Sequence, residues 1–372
     1  MNSKERVKIA MSGGVPDRVP VIPQICPPHA IRALGMDFRK TIIATLKNPF
    51  LANKLDLDCC RSYGVDGIRI WIPADPIDIL DDGENAWGLD ERGRKIGRVD
   101  FKGGGGIVTP EEKAVFESNE DVDKIEVLSA DELVKTEKFQ SIKKIVDEAK
   151  DEFFLIGVPG PFTFEYVTFM RGKEQAMIDI MERPDFVKKI IDKGTEISIQ
   201  QSIALARIGM DALYIGETFG GLIGPDLFKE FCVPAFKRFV KILKQYDVLL
   251  YLHTCGNSTK LFELMADTGV DCIEPLDPLG GVVIADAKRR VGHRVALMGG
   301  VNTVTLAQGA LDEVVEDCKR CIKEGAPGGG YVLAAGDMLP TETSKEKVEA
   351  MMDVAKKYGK YPLTIEKSQG YA

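Results

Sequence analysis

The sequence predicts an α/β chain closed into a (β/α)8 barrel, and three observations carry that prediction. Eight short apolar runs recur along the 372 residues, each ending in Gly, Pro or a polar residue. Stretches with helical apolar spacing separate them, the alternation that builds a parallel sheet. No GxGxxG turn follows the first run, and eight strands favour closure over an open doubly wound sheet.

In chain order the predicted strands are residues 19–23, 67–72, 153–158, 212–216, 248–253, 272–275, 295–299 and 331–335. Between the second and third lies an insertion, residues 74–152, in what is otherwise a single domain spanning 1–372. Its centre reads AWGLDERGRKIGRVDFKGGGG. Two alternating runs around a turn at 90–93 predict a β-hairpin; the four glycines after it predict a mobile loop, either a lid over the barrel mouth or a surface insertion. Residues 186–199 and 312–323 carry apolar residues at three- and four-residue spacing, so their helices should pack outside the barrel. In GPDLFKEFCVPAFKRFVKILKQ, Pro234 predicts a kink or a break, and Cys232 reads as core.

Composition narrows the function classes. With 44% hydrophobic and 28% charged residues the chain has apolar surface enough for a full core. A net charge of −8 and the lack of a basic run leave no footprint for nucleic acid or an anionic membrane surface. The start, MNSKERVKIAMSGG, has no signal-like apolar run, and no run of about 18 apolar residues suggests a membrane span, so a cytoplasmic location is expected. Eight cysteines at irregular spacing read as thiols or metal ligands, most of them core, and not as a disulfide framework.

One constellation carries chemistry. In DVLLYLHTCGN an apolar strand ends on His253 and turns through Thr254, Cys255 and Gly256. Positions i and i+2 of an extended strand point the same way, so imidazole and thiol can approach one metal together. Zinc takes this nitrogen and sulfur pair readily, whereas Mg2+ and Ca2+ prefer oxygen. The C-terminal ends of barrel strands are also where barrel enzymes place their active sites. Further ligands can come from other strand tips: Glu217 in YIGETFGG, Glu274 and Asp277 in IEPLDP, and Asp337 in LAAGDMLP. Carboxylates at apolar tips are costly unless paired or metal-bound.

Other candidates are weaker. Cys318 and Cys321 have CxxC spacing but sit in a charged helical run without a second pair. His293 lies in a polar turn at the opposite end of the predicted barrel. His29 follows the first strand on the active side and is a candidate substrate contact. GGGGIV and PGGGYV lack the Lys-Ser/Thr ending of a nucleotide loop.

Across nearly its whole length the sequence resembles the uroporphyrinogen decarboxylase superfamily, and within it the zinc-dependent methyltransferases that work with corrinoid proteins. The marks are KERVKIAMSGGVPDRVPVIP, GVPGPFTF, YIGETFGGLIGPDLFKEFCVPAFKRF, LHTCGNSTKLFELMADTGVDCIEPLD, ALMGGVNT and GGGYVLAAGDMLPTETSKEKVEAM. Uroporphyrinogen decarboxylases carry RQAGR after the first strand to grip substrate carboxylates; this chain has PQICPPHAIRALG, with Arg32 alone. Decarboxylation of a porphyrinogen is therefore not expected, although a decarboxylase of another acid is an alternative.

The coenzyme M methyltransferases of that family bind zinc through His-x-Cys and a later Cys. His253 and Cys255 match, and Asp337 stands at the position of the later Cys. Fewer thiolates leave the metal a stronger Lewis acid, suited to an oxygen ligand, which favours relatives that demethylate methoxylated compounds. The resemblance implies transfer of a methyl group from a small methylated substrate to the cobalt of a separate corrinoid protein, since this chain lacks the DxHxxG corrinoid signature. Transfer in the other sense, from corrinoid to a thiol, is the second alternative. Zinc ligands would be His253, Cys255, Glu217 and Asp337; Glu217 and Asp337 would act in catalysis, and His29, Asn302 and Glu274 would contact substrate. A homodimer is usual for the resemblance.

Overall fold

The computed structural model describes residues 1–102, 106–108 and 114–363. Eleven strands are present among them: β1 (Gly67–Trp71), β2 (Asp78–Asp81), β3 (Ala86–Leu89), β4 (Lys95–Val99), β5 (Ile107–Val108), β6 (Phe154–Val158), β7 (Ala212–Gly216), β8 (Leu249–His253), β9 (Cys272–Glu274), β10 (Ala296–Val301) and β11 (Tyr331–Ala335). Seven form one parallel sheet in the order β1, β6, β7, β8, β9, β10, β11, so consecutive strands of this sheet are neighbours. Right-handed crossovers through helices give this order naturally.

The segment predicted as the first strand is extended but scarcely a strand. Val21 bridges Leu333 in parallel. Ile22 N donates to Leu333 O at 3.0 Å, Leu333 N to Pro20 O at 2.9 Å, and Asp66 N to Val21 O at 2.9 Å. Residues 19–23 thus touch β11 on one side and the residue preceding β1 on the other. Pro20 and Pro23 have no N–H to give a ladder, which limits the pairing to isolated bonds.

Two cores follow from the curled sheet. Ile22, Phe154, Ile156, Ala212, Tyr251, Met298, Val332 and Ala334 point to its inside, together with Val7, Ala10 and Met11 of the helix Ser3–Met11. That helix, capped by Asn2 and Glu5, therefore plugs the end where the strands begin. Its Arg6 and the nearby Arg18 both reach the fully buried Asp66 at 2.8 Å. Outward-facing strand residues pack against long helices such as Pro184–Arg207 in the larger core. With one end plugged, the mouth at the strand C-termini is the open one.

The insertion is larger than a hairpin. β2 to β5 form a four-stranded antiparallel sheet with the predicted turn at 90–93 between β3 and β4. The glycine run expected as a mobile loop falls largely on 103–105, outside the described residues. The break expected at Pro234 takes the form of a wide helical turn, Phe228–Cys232, before the helix Val233–Leu243, where proline occupies the second position and loses no bond. All eight cysteines are free. No described helix is long and apolar enough to cross a membrane.

Candidate metal centre

Two adjacent turns and one strand tip build the centre. β8 ends on His253, and the chain turns at once through Cys255. The turn lies so close to the loop after β9 that a Cβ on Gly280 would sit 2.0 Å from Gly256 O, so only glycine fits there. Asp277 fastens the same contact, accepting from Gly256 N at 3.2 Å and Leu279 N at 2.8 Å. β11 ends at Ala335, which brings Asp337 over the same spot. His253, Cys255 and Asp337 each offer one ligand atom, all within 4.8 Å of one another.

The imidazole is held from below. Its Nδ1 is 2.5 Å from Glu274 Oε2, and Glu274 Oε1 accepts from Arg69 Nη2 at 2.8 Å. Glu274 and Arg69 are 0% and 3% exposed. Burial alone would raise the Glu274 pKa, but the charges of Arg69 and His253 hold it below the usual carboxylate range. For His253, burial works against the charged ring, yet Glu274 and then Cys255 raise its pKa well above the ordinary value. The ring is thereby fixed with Nδ1–H on Glu274, leaving Nε2 directed at Asp337, 4.0 Å away. Two metal bonds of about 2 Å span such a gap. A mixed nitrogen, sulfur and oxygen set of this size fits zinc, and a carboxylate behind the histidine is the usual outer support of such a ligand.

These three residues face a cavity of about 330 Å³ at the C-terminal end of the curled sheet, whose other walls include Gln24, Trp71, Glu165, Phe169, Tyr214 and Met338. Trp71 and Tyr214 lie 6.2 Å apart, and Tyr214 packs on His253 with centroids 5.2 Å apart.

The remaining predicted residues are placed elsewhere. Glu217 is fully buried and its carboxylate turns away from the three ligands: Thr163 Oγ1 donates to it, as do Glu165 N at 3.1 Å and Phe219 N at 3.2 Å. Burial and then the charge of Glu165 raise its pKa to about 7. Glu274 supports His253 and does not line the cavity. His29 is fully buried with both ring nitrogens engaged, by Pro340 O at 3.0 Å and Tyr63 Oη at 2.8 Å. Asn302 caps the helix Thr303–Gln308, accepting from Val304 N and Thr305 N. A tip position in the sequence does not reveal which way the side chain turns.

Two residues around the centre carry little signal in the sequence. Arg69 stands out only as a charge within the apolar strand GIRIW, a signal that a buried carboxylate must face it. Glu165 follows directly on GVPGPFTF, a lone carboxylate in an aromatic run.

A family model described as uroporphyrinogen decarboxylase (URO-D) matches residues 93–358. The chain is similar to the uroporphyrinogen decarboxylase of Actinobacillus pleuropneumoniae serotype 5b (strain L20), 30% identical over 234 residues, covering 59% of this chain and 64% of that protein. It is also similar to that of Thioalkalivibrio sulfidiphilus (strain HL-EbGR7), 32% identical over 155 residues, covering 41% of this chain and 43% of that one. The chain thus spans less than two thirds of the length of these curated relatives. Its fold is similar to a solved methyltransferase from Methanosarcina mazei, with a TM-score of 0.69 at 21% identity over 96% of this chain and 98% of that one.

Proposed function

Because the chain belongs to the uroporphyrinogen decarboxylase family, we propose that it is a zinc-dependent methyltransferase that moves a methyl group from a small methoxylated substrate to the cobalt of a separate corrinoid protein. The observation that carries this reading is the group of His253, Cys255 and Asp337 at the wall of an open 330 Å³ cavity. Three protein ligands leave a coordination position for substrate, the arrangement of a catalytic zinc. Zinc bound there supplies Lewis acidity that offsets negative charge on the oxygen left behind by the methyl group.

The chain's own residues supply the rest. Glu274, anchored by Arg69, keeps the Nε2 lone pair of His253 aimed at the cavity. Asp337 and Cys255 close the ligand set on the other side. Trp71, Tyr214 and Phe169 give apolar walls that orient a small substrate and keep water from it. The carbon–oxygen bond breaks, the methyl group passes to reduced cobalt, and the oxygen retains the electron pair and takes up a proton. Exposed Phe169 and Met338 at the cavity rim, with Leu222 in the helix Gly220–Leu227 after β7 and Leu279 in the turn after β9, support the docking of a protein on this face.

Decarboxylation of a polycarboxylate is the poorer reading. Among the described residues, no Lys or Arg lines the cavity, whereas Glu165 and Asp337 do. A substrate with several carboxylates would meet like charge there. The test is to supply cobalt(I) corrinoid with methoxylated donors and follow formation of methylcobalt by absorbance. Formation that requires zinc supports the reading. Methylation of a thiol from methylcobalt, with no methylcobalt formed from any ether, would overturn it.

A further inference from the structure

Glu165 holds a carboxylate in the cavity wall that the metal centre does not use. Its Oε1 accepts from Thr218 Oγ1 at 2.8 Å, while among the described residues nothing donates to Oε2. The carboxylate has room because β7 ends on glycine: a Cβ on Gly216 would come within 2.9 Å of Oε2. Behind it the fully buried Glu217 accepts from Glu165 N and so fixes the backbone from which the side chain projects. With Cys255 and Asp337 committed to a metal, Glu165 is the remaining acidic side chain among the described residues of the cavity lining, and burial raises its pKa, so its ionised form needs a partner. A half-buried carboxylate in that state is costly until a cation or strong donor meets it.

The neighbouring surfaces point to a cation. Trp71 and Tyr214 present aromatic walls to the same cavity, and such walls beside a carboxylate attract ammonium groups and give an anion nothing. We infer that Glu165, tethered by Thr218 and flanked by Trp71 and Tyr214, binds a cationic ammonium group at the non-reacting end of the substrate. Resting on the function proposed above, this makes the substrate class a small methyl ether that also carries an amine. Glu165 is a specificity-determining residue in this arrangement, separate from the group that would hold the metal.

Binding can be read without turnover. Zinc-loaded full-length chain is titrated calorimetrically with 2-methoxyethylamine, its neutral counterpart 2-methoxyethanol, and methoxyacetate. The amine should bind about tenfold more tightly than the alcohol, the anion most weakly. Glu165→Gln should remove the preference for the amine while zinc content stays unchanged, and Glu165→Asp, which keeps the charge but shortens the reach, should retain part of it. Should Glu165→Gln not fold, the aspartate variant reads the same comparison. Equal binding of amine and alcohol by the native protein, or an undiminished preference in the variants, overturns the inference. Glu165-dependent amine binding without methyl transfer from any ether would uphold it and count against the methyltransferase reading alone.

Discussion

Nδ1 of His253 lies 2.5 Å from Oε2 of Glu274, and neither side chain is more than 4% exposed. The pair spans neighbouring strands, β8 and β9, whose register sets His253 directly beside Glu274. This contact fixes which ring nitrogen is free for a metal. Glu274→Gln keeps shape and a bond to Arg69 but cannot fix the tautomer through charge. Zinc affinity should fall about 10- to 100-fold, measured by competition with a chelating dye. Unchanged affinity in a folded variant would mean that Glu274 does not position the ligand.

The raised His253 pKa has a consequence for metal binding. Without metal the ring holds a proton at neutral pH, so coordination at Nε2 must expel it. Affinity should therefore weaken as pH falls, and binding near pH 7 should release at least about one proton per metal, that of the His253 ring, with any proton on the Cys255 thiol released in addition. Calorimetric titration in two buffers of different ionisation enthalpy gives that number. Identical apparent enthalpies in both buffers would refute it.

Glu217 makes stability depend on pH in a stated direction. Its folded pKa, raised to about 7, lies above the unfolded value, so the folded state holds the extra proton between the two. Stability contributed by this group is present at acid pH and is lost as pH rises from about 4.5 to 7. Glu217→Gln removes the titration, and at pH 8 the variant should be more stable than the native protein by about 1–3 kcal/mol. Urea unfolding at pH 5 and pH 8 measures it; a gap that does not widen at pH 8 would contradict the assignment.

At the plugged end, Asp66 accepts from Arg6, Arg18, Ser3 and Val21 N, and is fully buried. Asp66→Ala leaves two arginines short of a partner and should cost about 3–5 kcal/mol in urea unfolding. Metal content of the folded fraction should not change, because the site lies at the opposite mouth.

What was legible followed from local rules. The seven sheet strands were readable because each apolar run ends in turn residues. Residues 19–23 look like an eighth strand because their apolar character hides what Pro20 and Pro23 do to a ladder. In the insertion only the β3–β4 hairpin shows in the sequence, because β2 and β5 are short and lie beside polar and glycine-rich stretches that give little periodicity. His253 and Cys255 were visible as an i, i+2 pair, and Asp337 as a tip carboxylate. Glu217 and Glu274 look equivalent to Asp337 in sequence. What separates them is tertiary: Thr163 and the backbone at 165 and 219 capture Glu217, and Arg69, 205 residues away, captures Glu274.

Whether His253 and Cys255 hold a metal is decided by the metal content of protein purified without added metal, measured by mass spectrometry alongside a His253→Ala, Cys255→Ala double variant. About one zinc per native chain is expected, and almost none in the folded double variant, since two of three protein ligands are gone. Near-stoichiometric zinc in the double variant, or none in the native chain even after loading, would contradict the metal-site assignment.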